Sequence, residues 1–312
     1  MTQAVGALGR IAYVEESAWG TTPGSPQLKL IKAGTYGESL SASIEELMSN
    51  AINSSRAVEN VIQGNIDVKG AVPIELPLLG IGTLLKHALG TVNTTGAGPY
   101  THVIKRGALP AGLTLEKGFT DIAQYIVFTG CRIDKLSLSV SPQGLVTGSM
   151  DVIGKDFSAS GTPLDASVDT VVHTPFAHHQ ATFEEGGSAA TLLNLNLNLT
   201  NGLEPVRAIG SRTIAGLPEG KGEVTGDITV MFENLTLFNK WKNGTASSLK
   251  ATFTSGAHSI EFYLPSVRYN GEAVPKIASD KGIVVPLSFR AIYDSGEATD
   301  LKVTLINTEA TV

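Results

Sequence analysis

The second half of this chain echoes the first at an offset of 156 residues, half of its 312. Arg56 matches Arg212, Gly64 matches Gly220, Val68 matches Val224, and Gly70 matches Gly226. Like-for-like pairs fall between and after them: Val58 with Ile214, Asp67 with Glu223, Val72 with Ile228, Ile74 with Val230, Leu79 with Leu235, and Leu85 with Trp241. Hydrophobic pattern, turn glycines and order all agree. The chain is thereby expected to build two similar units in tandem, related by internal duplication. Two copies of one small sheet unit point toward assembly, because an active site rarely needs both.

Composition narrows the class. The hydrophobic fraction of 42% is ordinary for a globular protein, so the bulk of the chain is expected to fold. Charged residues make up 17%, below the usual ~25%. With 34 glycines and recurrent Thr, Ser and Asn between short apolar runs, this fits a β-rich protein with much surface committed to partners. The net charge of −6, with no clustered Lys or Arg beyond Lys105-Arg106 and Lys240-Trp241-Lys242, disfavours tight nucleic-acid binding. It leaves room for a wall past which DNA slides. A single cysteine, Cys131, excludes an internal disulfide framework. The N-terminal residues do not read as a signal peptide, and no run approaches the ~18 apolar residues of a membrane-spanning helix.

Residues 1–36 read as a strand, Arg10-Ile-Ala-Tyr-Val14, followed by an extended arm around Gly20-Thr-Thr-Pro-Gly-Ser-Pro26. The first unit spans 37–156. Within it Ser43 and Glu46 imitate a helix capping box, but the matching run Leu193–Leu199 alternates strictly and favours a strand for both. Residues 64–76 and 222–232 alternate as strands with Gly70 and Gly226 at the same place, where the same kink is expected. One short helix follows in each unit, over 79–89 stopped by Gly90 and over 235–241 stopped by Asn243-Gly244. Residues 91–120 read as a long loop or hairpin. Each unit ends in a hairpin, turning at Ser141-Pro-Gln-Gly144 in the first and at Asn270-Gly271 in the second. Arg132 and Arg268 occupy corresponding points in these hairpins. Residues 157–178 form a linker and 179–312 the second unit. The fold class is therefore mainly β, with one short α-helix per unit.

No catalytic, cofactor or metal site is expected. His173, His178 and His179, near Glu184 and Glu185, lack the ligand spacing of a structural zinc site and read as loop residues. Cys131, in Phe128-Thr-Gly-Cys-Arg-Ile133, reads as a buried small hydrophobe rather than a nucleophile. The chain has no G-x-S-x-G elbow, P-loop or H-E-x-x-H. Arg56 and Arg212 are candidates for an ion pair between subunits or units, and Arg132, Arg268, Gly70 and Gly226 for matched structural roles. The carboxylates Asp67, Glu75, Glu223 and Asp227 sit on alternating strands, where they line either a solvated face or a pore.

The opening Gly9-Arg-Ile-Ala-Tyr-Val-Glu-Glu-Ser-Ala-Trp-Gly-Thr-Thr-Pro23, then Glu38-Ser-Leu40, Arg56, and Gly64-Asn-Ile-Asp-Val-Lys-Gly70 running into Glu75, resembles the tail tube (major tail) proteins of long-tailed, siphovirus-type bacteriophages. The resemblance covers most of the chain and implies a small tail-tube-like β-barrel or sandwich per unit, packed into stacked rings around a conduit for DNA. It implies a place in the virion tail after assembly in the host bacterial cytoplasm. Implied partners are other copies of the chain, a tape measure protein, and tail terminator or baseplate proteins. DNA would pass without specific binding, and no membrane is involved. Two units per chain imply trimeric, pseudo-six-fold rings, with hexamers as the alternative. The arm at 1–36 and the loop at 91–120 are the candidates for stitching ring to ring. Two other readings stand beside this one: a baseplate hub or distal-tail ring protein, and a carbohydrate-binding β-sandwich adhesin, against which the 6% aromatic content argues.

Overall fold

A computed structural model describes residues 3–31, 37–52, 56–170, 172–277 and 282–312. The end of the expected N-terminal arm, 32–36, and position 171 of the expected linker lie outside the described residues. The protein is mainly β, with 20 strands and two α-helices among the described residues.

In chain order the first half holds β1 (Gly9–Glu15), β2 (Lys29–Leu30), β3 (Ser41–Met48), β4 (Val61–Glu75), α1 (Gly82–Leu89), β5 (Gly90–Thr95), β6 (Tyr100–Arg106), β7 (Leu113–Phe119), β8 (Gln124–Val140), β9 (Thr147–Gly154) and β10 (Asp156–Ser160). The second half holds β11 (Ala181–Glu185), β12 (Ser188–Ala189), β13 (Leu192–Thr200), β14 (Val206–Arg207), β15 (Ile214–Gly216), β16 (Glu223–Met231), α2 (Thr236–Asn243), β17 (Ser247–Ser255), β18 (His258–Asn270), β19 (Val284–Ala291) and β20 (Lys302–Asn307).

The same pairing order occurs twice. In the first half it runs β3-β4-β9-β8-β7-β1-β2, all antiparallel. In the second it runs β13-β16-β19-β18-β17-β11-β12, also antiparallel. The outer flank of β8 is continued by β10, as that of β18 is by β20. Register agrees as well as order. Gly70 stands opposite Val152 and Val152 opposite Ile133. Gly226 stands opposite Phe289 and Phe289 opposite Tyr269.

Two further ladders join the halves into one sheet of 18 strands. β13 pairs with the C-terminal part of β8, and β6 pairs with β20. Among the described residues the pairings close no ring, so of the expected barrel or sandwich the units take the sandwich-like form. The apolar faces of β8 and β13 (Leu138, Leu197, Leu199) meet α1 (Leu85, Leu89) and the second layer (Phe262, Val303) in one core. Alternation explains the sheet faces: Val68, Val72 and Ile74 are buried while Lys69, Ala71 and Pro73 are not.

The two helices differ in depth. In α1 Leu84, Leu85, Ala88 and Leu89 are buried, and Gly90 (φ +118°) ends the helix by donating its N–H to the Lys86 carbonyl. α2 has no buried residue because Asn239, Lys240 and Lys242 surround its few apolar side chains; Leu237 and Trp241 pack partly against the core.

Some local expectations hold and others change. Residues 41–48 form the strand favoured over the capping-box helix, since β4 supplies a partner along its whole length. The 91–120 segment holds a hairpin, β5–β6, and then β7, which takes the place that β17 holds in the second half. Asn270-Gly271 does not make a tight hairpin: β18 ends at Asn270 and β19 starts at Val284. Within 157–178, β10 continues the sheet and Phe176 is fully buried against Phe253, with ring centroids 5.9 Å apart.

Candidate functional site

Six strands from both halves, in the order β4-β9-β8-β13-β16-β19, present one apolar face to the core and one polar face outward. Cross-strand rows run over this polar face from one half to the other. One row is Glu75–Thr147–Ser139–Asn196–Asp227–Ser288. The next is Pro73–Ser149–Ser137–Asn198–Thr225–Arg290. A third is Ala71–Asp151–Lys135–Thr200–Glu223. Small neutral polar side chains dominate, and they hydrogen-bond along the rows: Ser139 donates to Asn196 at 2.7 Å, and Asn196 to Asp227 at 2.9 Å.

Two of the four candidate carboxylates, Glu75 and Asp227, share a row across the junction of the halves. Glu223 lies at the end of a neighbouring row, paired with Arg290 at 2.6 Å. Asp67 lies past the reach of β9, opposite Ser43, and is held by Arg207 at 2.6 Å. Glu75 faces His173 at 3.1 Å. An arginine stands beside Asp67 and Glu223, an amide beside Asp227 and an imidazole beside Glu75, so the face is mixed rather than acidic.

The matched arginines do matched work. Arg132 donates to the Ala111 carbonyl at 3.2 Å and to the Leu217 carbonyl at 2.9 Å. Arg268 donates to the Gly244 carbonyl. Ala111 and Gly244 each lie in the segment entering the strand next to the arginine's own, β7 in one half and β17 in the other. Arg212 bridges the halves by hydrogen bonds, to the Gly64 carbonyl at 2.8 Å and Gln63 Oε1 at 3.2 Å. The ion pair expected of Arg212 is instead made by Arg207, five residues earlier, to Asp67. Arg56 lies exposed in the connection between β3 and β4. A Cβ at Gly70 would collide with the backbone of Ser39 and Leu40, and one at Gly226 with the Asn196 carbonyl and the Phe289 ring. Both glycines allow close strand approach, but only Gly70 has positive φ (+156°), so they do not share one kink.

Perturbed ionisations lie away from the polar face. Hydrogen bonds from His87 and then Lys86 hold the Glu15 carboxyl down at about 2, against the opposing effect of burial. Burial pushes the Tyr13 phenol up to about 12. Burial, with Glu185 adjacent, raises Tyr269, whose hydroxyl donates to Glu185 Oε1 at 3.0 Å. Cys131 is buried, and desolvation raises its thiol far above the range of a nucleophile. Among the described residues no three His, Cys, Asp or Glu side chains converge as metal ligands. Nor is any helix long and apolar enough to cross a membrane.

A surface that patterning did not single out is the outer half of the β3–β4 hairpin. Leu47, Met48, Ile52, Val58, Val61 and Ile62 are all exposed there. The signal lay in β4, whose apolar residues continue beyond the reach of β9, with β3 as the partner there.

Comparison with known proteins gives one family. The model of the family described as phage tail tube protein matches residues 6–291. No curated protein matches the chain.

Proposed function

This chain belongs to the phage tail tube protein family, and we propose from that premise that it is the repeating subunit of a tail tube, self-assembling into stacked rings around a conduit for DNA. Membership gives it a structural role and a place in the virion tail, and points away from enzymatic activity. The observation that carries the finer reading is the six-strand sheet drawn from both halves, apolar inside and small, polar and mixed in charge outside. Such a face suits a lumen. Phosphates are gripped by clustered cations, whereas here each candidate carboxylate sits beside an arginine, an amide or an imidazole, and Ser, Thr and Asn fill the rows between. Asp67, Glu75, Glu223 and Asp227 are on this reading parts of the conduit wall or its rim.

The recurrent pairing order, which takes β1 and β2 of segment 1–36 into the first unit together with 37–156, supports two tandem units, the second at 179–312, related by duplication, and rings of three chains with pseudo-six-fold symmetry. Contacts between rings would use exposed apolar surface, and the outer β3–β4 hairpin offers more of it than the arm at 1–36, where Leu28 is buried. Assembly takes place in the host cytoplasm, with the other tail proteins as partners.

Negative-stain electron microscopy of the purified protein, with mass photometry, tests this reading. Hollow tubes with a regular axial repeat are expected. Single closed rings would favour a hub or distal-tail protein, and a monomer at high concentration would remove the assembly reading.

A further inference from the structure

Elsewhere in the same chain the two edges that match the joint between the halves have no strand partner among the described residues, and side chains bond them instead, Trp241 Nε1 donating to the Gly271 carbonyl at 3.0 Å. β8 is flanked on one side by β7 as far as Cys131, and from Lys135 to Val140 that same side is taken by β13. β18 is flanked on the matching side by β17 as far as Val267, and past that point no described strand takes the edge. Likewise β13 is paired on both sides, with β16 and β8, while among the described residues β3 is paired with β4 alone. The edge of β18 past Val267 is the counterpart of the β8 edge, and the outer edge of β3 is the counterpart of the β13 edge.

From these edges we infer that a second copy of this chain docks its β3 against the C-terminal end of β18, repeating between molecules the β13–β8 joint made within one. This inference rests on the tube reading and specifies its ring contact. The register follows from the glycine rows. Ser43 stands opposite Asp67 as Thr200 stands opposite Glu223, so Ser43 and Thr200 hold matching places. β8 carries one irregularity between Ile133 and Lys135; past it Lys135 stands opposite Asp151, as Asn270 stands opposite Ser288. Thr200 stands opposite Lys135 in the internal joint. Ser43 of one copy therefore stands opposite Asn270 of the next.

Chemistry agrees with this register. In the internal joint Leu197 faces Leu138 on the buried side; β18 ends at Asn270, where Gly271 turns at φ +73°, so the joint between copies is shorter. Ser43 and Asn270 are exposed and polar on the other face. In the single chain the Leu40 amide donates to Glu38 Oε2 at 3.0 Å, and the Leu40 carbonyl accepts from Lys117 Nζ at 2.7 Å. These side-chain bonds blunt the edge, as native sheets blunt theirs, and an incoming strand would replace them. The contact joins two different edges, so it propagates head to tail and closes into a ring when the rotation permits.

Directly opposite residues of antiparallel strands lie at Cα separations that a disulfide spans. Assembled protein carrying Ser43→Cys and Asn270→Cys is expected to give covalent dimers and trimers on oxidation. Ser43→Cys with Ser288→Cys, which moves one thiol to the next strand, is expected to give none. A second pair guards against misfolding: Ser43→Lys/Asn270→Lys sets like charges opposite one another and is expected to abolish rings, whereas Ser43→Lys/Asn270→Glu retains them. Tubes that form without the Ser43–Asn270 crosslink, and that tolerate the paired lysines, would overturn the joint and leave the tube reading standing. Unsubstituted protein that never assembles would overturn the tube reading and the joint with it.

Discussion

Leu197 of β13 stands directly opposite Leu138 of β8, both buried, at the centre of a ladder that joins the two halves of the chain. Because that ladder makes one sheet of two units, the halves are expected to unfold together. Leu138→Ala removes buried methyl groups at a site walled on both sides and should cost about 2–5 kcal/mol. Denaturant unfolding followed by circular dichroism and by tryptophan fluorescence (Trp19 and Trp241 report one half each) should show a single coincident transition, shifted by the substitution. Two separated transitions would mean that the halves are independent.

Gly226→Ala should destabilise by about 1–3 kcal/mol, since its Cβ meets the Asn196 carbonyl of the neighbouring strand and the Phe289 ring. Gly6→Ala, where nothing lies within 4 Å of the added methyl, serves as the control. Equal melting temperatures for the two variants would contradict close approach as the reason for glycine at 226.

The glycine pair also shows how far the sequence could be read. The offset aligned Gly70 with Gly226, and in both halves the glycine marks where a neighbouring backbone comes too close for any side chain. Their cross-strand partners, Val152 and Phe289, do not share that offset, because the loops between the strands differ in length. Arg132 and Arg268 each precede a residue of these rows, Ile133 and Tyr269. What escaped was contact between distant segments. Nothing local in Arg207 announces Asp67, 140 residues away, and nothing in Asn270-Gly271 tells that the chain will detour rather than turn. The choice between barrel and sandwich stayed open at the sequence because alternation specifies which face of a strand is buried but not which edge finds a partner.

Arg132→Lys keeps the charge but loses the fork that reaches both the Ala111 and Leu217 carbonyls. A loss of about 1–3 kcal/mol is expected from leaving these acceptors without a charged donor. Hydrogen exchange should locate the loosening at residues 108–113 and 214–219, and exchange unchanged in both segments would refute the bridge.

Acid should weaken the protein in a defined window. The Glu15 carboxyl titrates at about 2 in the folded chain against 4.5 unperturbed. A lowered folded value means that the unfolded chain takes up the proton first, so the stabilisation is complete above 4.5 and fades as pH falls toward 2. Glu15→Gln should flatten that part of the melting-temperature profile and leave the profile above pH 6 parallel to the original. An unchanged slope between pH 4.5 and 2 would assign the acid sensitivity to other carboxylates.

The most direct test of the tube reading is cryo-electron microscopy of the assembled protein at a resolution that separates strands. Three chains per ring are expected, six sheet units in pseudo-six-fold array, with Ser137, Asn196 and Asn198 facing the lumen and β3 of each chain beside β18 of the next. A ring in which this polar face points outward, or in which the chains meet through other edges, would contradict it.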